Sequence, residues 1–129
     1  MEAKLKFIGK INSPLKKLED CPLQEFENAP EGELVIYSEF QEAMKDIAIG
    51  SKLLLLTWLH MSDRNVMTTK PRNNPKAKMT VFSTRSPDRP NPIGMHTVNV
   101  LGISSEGIIK VSGLEVLDQT PLVDIKPLL

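Results

Sequence analysis

Apolar and polar side chains alternate over short stretches of this chain, and the alternation predicts strands more often than helices. Leu5–Asn12 (LKFIGKIN) mixes the two classes and runs into Ser13-Pro14, a strand ending in a turn. Residues 16–32 carry Cys21-Pro22, Ala29-Pro30 and Glu31-Gly32, which favour a loop. Glu33–Tyr37 (ELVIY) has the β-branched and aromatic content of a strand. Ser38 with Gln41 three residues later is a capping-box signal; Phe40, Met44 and Ile47 then fall on one face of a short helix that Gly50 can close. Leu53–Met61 (LLLLTWLHM) is too densely apolar for a surface helix. A strand buried on both faces fits it better, with a buried helix as the alternative.

Beyond that apolar run, Ser62–Ala77 holds Pro71, Pro75 and the Asn73-Asn74 pair and reads as a long loop, usually functional or mobile in a small domain. Lys78–Thr84 (KMTVFST) reads as a strand, and Thr97–Ile103 with Ile108–Val111 as a hairpin around Ser104–Gly107. Leu114–Leu117 and Leu122–Ile125 are shorter β candidates. Many short strands, one or two short helices and ten prolines confined largely to turns predict an all-β or β-rich barrel or sandwich. At 129 residues, with no internal repeat or low-complexity tract, residues 1–129 are expected to form a single domain.

Composition narrows the class. Hydrophobic content of 40% and charged content of 25% are ordinary for a soluble globular protein. No apolar run approaches the ~20 residues of a membrane span. The opening MEAKLKFIGK has no apolar leader, so no secretory signal is expected. One cysteine, Cys21, excludes an internal disulfide and a multi-cysteine zinc site. The expectation is a cytoplasmic protein with no membrane and no metal. Net charge is zero, but between Arg64 and Asn99 seven cations face one acid, Asp88, so that window carries +6 and the remainder −6. A basic surface on a neutral protein suits an anionic ligand, with a solvated basic loop as the alternative.

Two segments carry candidate chemistry. In Phe82–Gly94 (FSTRSPDRPNPIG), prolines 87, 90 and 92 fix their own φ and bias the preceding residues to extended backbone, so the loop is stiff and close to pre-formed. Arg85 and Arg89 ride on it, suited to bidentate capture of carboxylate or phosphate, and Asn91 adds a polar contact. In Asp118–Pro127 (DQTPLVDIKP), Asp118 and Asp124 can accept hydrogen bonds from ribose hydroxyls or amines; a turn followed by a terminal edge strand is the alternative.

TRSPDRPNPIGMHTV together with the later LEVLDQTPLVDIKP resembles the tRNA methyltransferase O (TsaA-like) family, and the N-terminal IGKINSP is similar to that family's start. The resemblance extends over essentially the whole chain. It implies a compact β-barrel methyltransferase, unlike the Rossmann type, that uses S-adenosyl-L-methionine and works as a homodimer on tRNA, the threonylcarbamoylated form in particular. A strand followed by GxGxxG is absent, in keeping with that expectation. By motif position it implies cofactor contacts at Ser13, Pro14, Leu15, His60, Met61, Arg85, Met95, Val116, Leu117, Asp118 and Gln119, and substrate contacts at Arg89, Asn91 and Lys126. Two positions depart from the family pattern: Met61 stands where bacterial members usually carry Gln, and Gln119 where they carry Gly. The extra C-terminal domain of longer members is not expected in this short form.

The family acceptor is N6 of threonylcarbamoyladenosine beside the anticodon, a ureido nitrogen that is a poor nucleophile until its proton is weakened or removed. A general base within hydrogen-bond reach is therefore expected. His60 is the leading candidate, because imidazole titrates near neutrality; a histidine satisfied at the edge of the core is the alternative. His96 and Tyr37 rank below it, and Arg85 and Arg89 are candidates for stabilising developing negative charge. Competing readings are a methyltransferase for another RNA or a small molecule, and a non-catalytic module that binds S-adenosyl-L-methionine or RNA.

Overall fold

The computed structural model describes residues 1–17, 30–70 and 78–129. In chain order the strands are β1 (Gly9–Asn12), β2 (Gly32–Ile36), β3 (Lys52–Trp58), β4 (Thr68–Thr69), β5 (Met79–Thr80), β6 (Ile93–Ile103), β7 (Ile108–Ser112) and β8 (Pro121–Pro127). Six of them close a barrel in the order β1-β2-β7-β6-β3-β8, while β4 and β5 pair as a separate ribbon. Every neighbouring pair is antiparallel, and β8 closes the barrel by bonding to both β1 and β3. The fold is thus a β-barrel and not a Rossmann fold. Closure removes the sheet edges that an open sheet of this size would expose.

Alternation along the strands explains the core. Leu53 and Leu55 of β3, Val98 and Val100 of β6, Ile109 and Val111 of β7, and Leu122 of β8 all point inward and are buried. Their neighbours in sequence lie on the outer wall, as a period of two requires. Leu114 and Val116 join this core from the connection between β7 and β8, with the Leu114 N–H donating to the Pro30 carbonyl at 3.0 Å.

Several elements differ from the sequence reading. β1 begins at Gly9, because pairing with Ile36 and Leu122 starts there, so Leu5–Ile8 lie outside the strand. The Leu53–Met61 run yields a strand only over Lys52–Trp58, with Leu59–Met61 beyond its end, and its outward residues Leu54, Leu56 and Trp58 are only half-buried, so one face rather than both is sealed. The helix after β2 is a 3-10 helix, Ser38–Met44, preceded by Tyr37, with no side-chain cap. The Gln41 amide instead donates to the carbonyls of Ile36 and Glu106, at 3.1 and 3.3 Å, tying two connections together. Phe40, Met44 and Ile47 do pack on the core. Lys78–Thr84 yields only β5 before a 3-10 turn at Val81–Ser83. Leu114–Leu117 is not a strand; it buries Leu114 and Val116 and leaves Glu115 and Leu117 half-buried. The hairpin is longer than expected, since β6 begins at Ile93. Cys21 and most of the 16–32 loop, together with Arg72 and Lys76, lie outside the described residues.

Candidate functional site

The barrel topology brings four connections to one rim. β1 and β3 end there while β6 and β8 begin there: Trp58 pairs with Ile93, Thr57 with both Gly94 and Leu122, and Lys10 with Pro121. Ser13–Leu15, His60-Met61, the proline-rich loop and Val116–Gln119 are the segments that follow or precede those strand ends, so all four emerge at the same end. A β-bulge between Leu56 and Thr57 sits next to this rim, where it re-aims the strand end.

One half of the rim is a latch between the β1 and β8 connections. The Ser13 N–H donates to Asp118 Oδ1 at 2.8 Å, Lys16 Nζ donates to Asp118 Oδ2 at 2.8 Å, and the Asp118 N–H returns to the Leu15 carbonyl at 2.8 Å. Buried Ser13 turns its hydroxyl to the Leu15 N–H at 3.1 Å. Gln119 donates to Asn12 Oδ1 at 2.9 Å. Desolvation pushes the Asp118 carboxyl up. Hydrogen bonds from Lys16, the Ser13 N–H and Gln119, with the Lys16 charge, outweigh that effect and hold it below the ordinary carboxylate range. Asn12, Ser13, Lys16, Asp118 and Gln119 line an open cleft of about 550 Å3, with Pro14, Glu33 and Lys110 also on its walls. Pro14 is exposed and Leu15 half-buried; Val116 is buried and Leu117 half-buried, so Val116 serves the core from within this segment.

The other half is the proline-rich loop, and here the two arginines part company. Arg89 turns its guanidinium back on its own loop: Nε donates to the Ser86 carbonyl at 2.7 Å, and Nη2 to the carbonyls of Val81, at 2.7 Å, and Thr84. Arg85 is exposed, and no hydrogen bond or ion pair engages it among the described residues. Arg64, which sequence reading placed only in the basic window, clasps the loop from the β3 side. Its Nε donates to the Pro90 carbonyl at 2.8 Å, its Nη2 to Asn91 Oδ1 at 3.3 Å, and its guanidinium lies 5.1 Å from the Trp58 ring centroid. The Asp63 N–H adds a bond to Asp88 Oδ1 at 2.8 Å, and the Leu59 N–H one to the Pro92 carbonyl at 2.8 Å. His60 and Met61, between these anchors, are exposed.

Below the rim, inside the barrel, His96 Nε2 and Thr57 Oγ1 share a hydrogen bond at 2.9 Å. Gly94 is required beside them, since a Cβ there would collide with both polar atoms. Burial lowers the His96 pKa to about 4, and its Nδ1 has no hydrogen-bond partner among the described residues. It is a neutral core histidine rather than an accessible base. Tyr37 follows β2, whose start is at the rim, so it lies at the opposite end of the barrel. Met95 projects from the outer wall beside Leu56. Lys126 pairs with Leu54 toward the far end of β8 and contacts Asp124 at 3.1 Å, on the order of 16 Å along the strand from Pro121. A single chain therefore gathers the other candidate residues near one rim but leaves Tyr37 and Lys126 apart from it. Among the described residues no group of three or more His, Cys, Asp or Glu is placed to hold a metal ion, and no helix is long and apolar enough to cross a membrane.

A sequence model of the tRNA-methyltransferase O N-terminal domain matches residues 10–129. A probable S-adenosyl-L-methionine-binding protein of Methanothermobacter thermautotrophicus is 39% identical over 127 residues, covering 98% of this chain and 90% of that protein. The tRNA (adenine(37)-N6)-methyltransferase of Escherichia coli is 34% identical, covering 95% of this chain and 56% of that protein. The crystal structure of TrmO from Pseudomonas aeruginosa matches with a TM-score of 0.79 at 30% identity, covering 100% of this chain and 57% of that one. The chain thus spans nearly all of the first relative and little more than half of the other two.

Proposed function

The chain belongs to the tRNA-methyltransferase O N-terminal domain family, and from that premise we propose that it binds S-adenosyl-L-methionine at the described rim and transfers the methyl group to tRNA. The observation that carries this reading is the convergence of the Ser13, His60, Arg85 and Asp118 segments on one end of the barrel. The names of the archaeal and Escherichia coli relatives support the cofactor and the acceptor class.

The residues present fit the cofactor. A cleft of about 550 Å3 lies within the range of roughly 300–1,000 Å3 common for small-molecule sites. Its Asp118 carboxylate, ionised through ordinary pH by its hydrogen bonds, accepts from ribose hydroxyls or amines. The Arg85 guanidinium, unpartnered among the described residues, matches a carboxylate or a phosphate. When bound, S-adenosyl-L-methionine supplies an electrophilic methyl on a sulfonium. Positioning supplies much of the rate enhancement in a displacement of this kind, and Arg89 and Arg64 contribute by fixing the loop that presents Arg85.

The acceptor in this reading is N6 of threonylcarbamoyladenosine next to the anticodon. His60, exposed at the rim, takes up the proton of that nitrogen, while Arg85 balances negative charge nearby. The working form is a cytoplasmic homodimer. A second copy covers the outer wall where exposed Ile93 and Met95 adjoin half-buried Leu54, Leu56 and Trp58. The test is methyl incorporation into tRNA with and without the threonylcarbamoyl group. Incorporation only into the modified tRNA is expected; tight cofactor binding with transfer to neither contradicts the reading and favours a non-catalytic binding module.

A further inference from the structure

Among the described residues, Gln119 is the only non-glycine with a positive φ, at 69°. In this left-handed region the Cβ of an L-residue crowds its own backbone, which glycine avoids and asparagine tolerates better than glutamine. The turn that holds it there is tied down on every side. The Gln119 N–H donates to the Ile11 carbonyl at 2.7 Å, the Asp118 N–H to that of Leu15 at 2.8 Å, and the Thr120 hydroxyl to that of Leu117 at 2.6 Å. None of those bonds uses the Gln119 side chain, so glycine would serve the turn at less strain.

What the side chain adds lies in the cleft. Its Nε2 donates to Asn12 Oδ1 at 2.9 Å and approaches Asp118 Oδ1 at 3.4 Å, and all three residues line the cleft wall. With Asn12 Oδ1 fixed as an acceptor, the Asn12 amide nitrogen is left as a donor with no partner among the described residues. Asp118 Oδ1 already takes the Ser13 N–H and Oδ2 takes Lys16, so Oδ2 retains one acceptor site. A donor and an acceptor side by side on one wall match the vicinal hydroxyls of a ribose. We infer that Gln119 is a positioning residue, held in a strained conformation so that its amide sets the donor–acceptor pattern by which Asn12 and Asp118 read a ribose diol. The inference rests on the reading of this cleft as the cofactor site. Strain retained in a turn that does not need it is the kind of outlier from which a functional role is argued.

The experiment measures calorimetric affinity for S-adenosyl-L-methionine and melting temperature in the full chain, for Gln119→Gly, Gln119→Asn and Asp118→Asn. Gln119→Gly is expected to melt at or above the wild-type temperature while binding roughly tenfold more weakly, the loss of about one effective hydrogen bond. In turnover it raises the KM for the cofactor and leaves kcat within about twofold. Gln119→Asn, which tolerates the same φ but is one methylene short, keeps the melting temperature and recovers only part of the affinity. Wild-type affinity in Gln119→Gly overturns the inference, as does a lost affinity accompanied by a large fall in melting temperature. If Asp118→Asn weakens binding and Gln119→Gly does not, the inference alone fails. If neither changes the affinity, the cleft is not the cofactor site and the functional reading fails with it.

Discussion

The two halves of the rim are built by opposite means. The Asp118 latch joins residues about a hundred positions apart in sequence, through backbone N–H groups and one lysine. The proline-rich loop is shaped mostly by itself: three prolines restrict it, and Arg89 binds carbonyls within eight residues. In the latch the acid that shapes the site also faces the cleft. In the loop these duties are divided, Arg89 shaping and Arg85 remaining free among the described residues. A carboxylate has several acceptor sites and can serve structure and ligand at once, whereas an arginine whose fork is turned inward has few donors left.

The largest expected effect tests that division. Arg85→Ala should lower methyl transfer by about 100-fold or more, the scale of removing a charge-stabilising group, while the melting temperature stays unchanged. Unchanged turnover in that variant would remove Arg85 from the site. Beneath both halves, the buried His96 should make stability depend on pH. The unfolded imidazole takes up a proton near 6.5 and the folded one only at about 4. Stability therefore falls as pH drops from 6.5 to 4 and levels off below. The full effect is about 3 kcal/mol, and denaturant melts across that window should flatten in His96→Gln.

Arg89→Ala should act first on stability, by about 2 kcal/mol, because three carbonyls lose their partner. Its activity loss should follow the loss of loop order, and Arg89→Lys should restore little, since an ammonium cannot span the same carbonyls. A variant with wild-type stability and no activity would return Arg89 to direct ligand contact. Asp118→Asn sharpens the other half. The Asp118 carboxyl is held low in the folded state, so its stabilisation is present above the unfolded carboxylate pKa and fades as pH falls through the folded value. Acid titration of the variant should lack that component. The smallest effect, about 1 kcal/mol or less, is expected for Arg64→Ala, since its clasp is exposed. Hydrogen exchange at the Leu59 and Asp63 amides should then rise; unaltered exchange would contradict the clasp.

Strands whose alternation is strict were legible in the sequence: Glu33–Tyr37 is β2 to within a residue, and the β6–β7 hairpin stands where its glycine and serines put it. Leu114–Leu117 has the composition of a strand, but Leu114 and Val116 are drawn into the barrel interior and the segment joins no sheet among the described residues, which local pattern does not encode. Val81–Ser83 likewise turns where β propensity favoured extension, as Arg89 collects the Val81 carbonyl. Ser38 fails as a cap because Gln41 is drawn to two carbonyls, one of them on a distant turn. The segments that meet at the rim were legible as motifs. The different fates of Arg85 and Arg89, and the part played by Arg64, depend on where a guanidinium folds back, and no spacing rule reports that.

The central claim is that the latch and the loop hold one and the same cofactor from one rim. Calorimetric titration of S-adenosyl-L-methionine into wild type, Arg85→Ala and Asp118→Asn tests it most directly. The account predicts that each substitution weakens binding by about tenfold or more, although the two residues lie in separate halves. Wild-type affinity in either variant would mean that its half of the rim does not hold the cofactor.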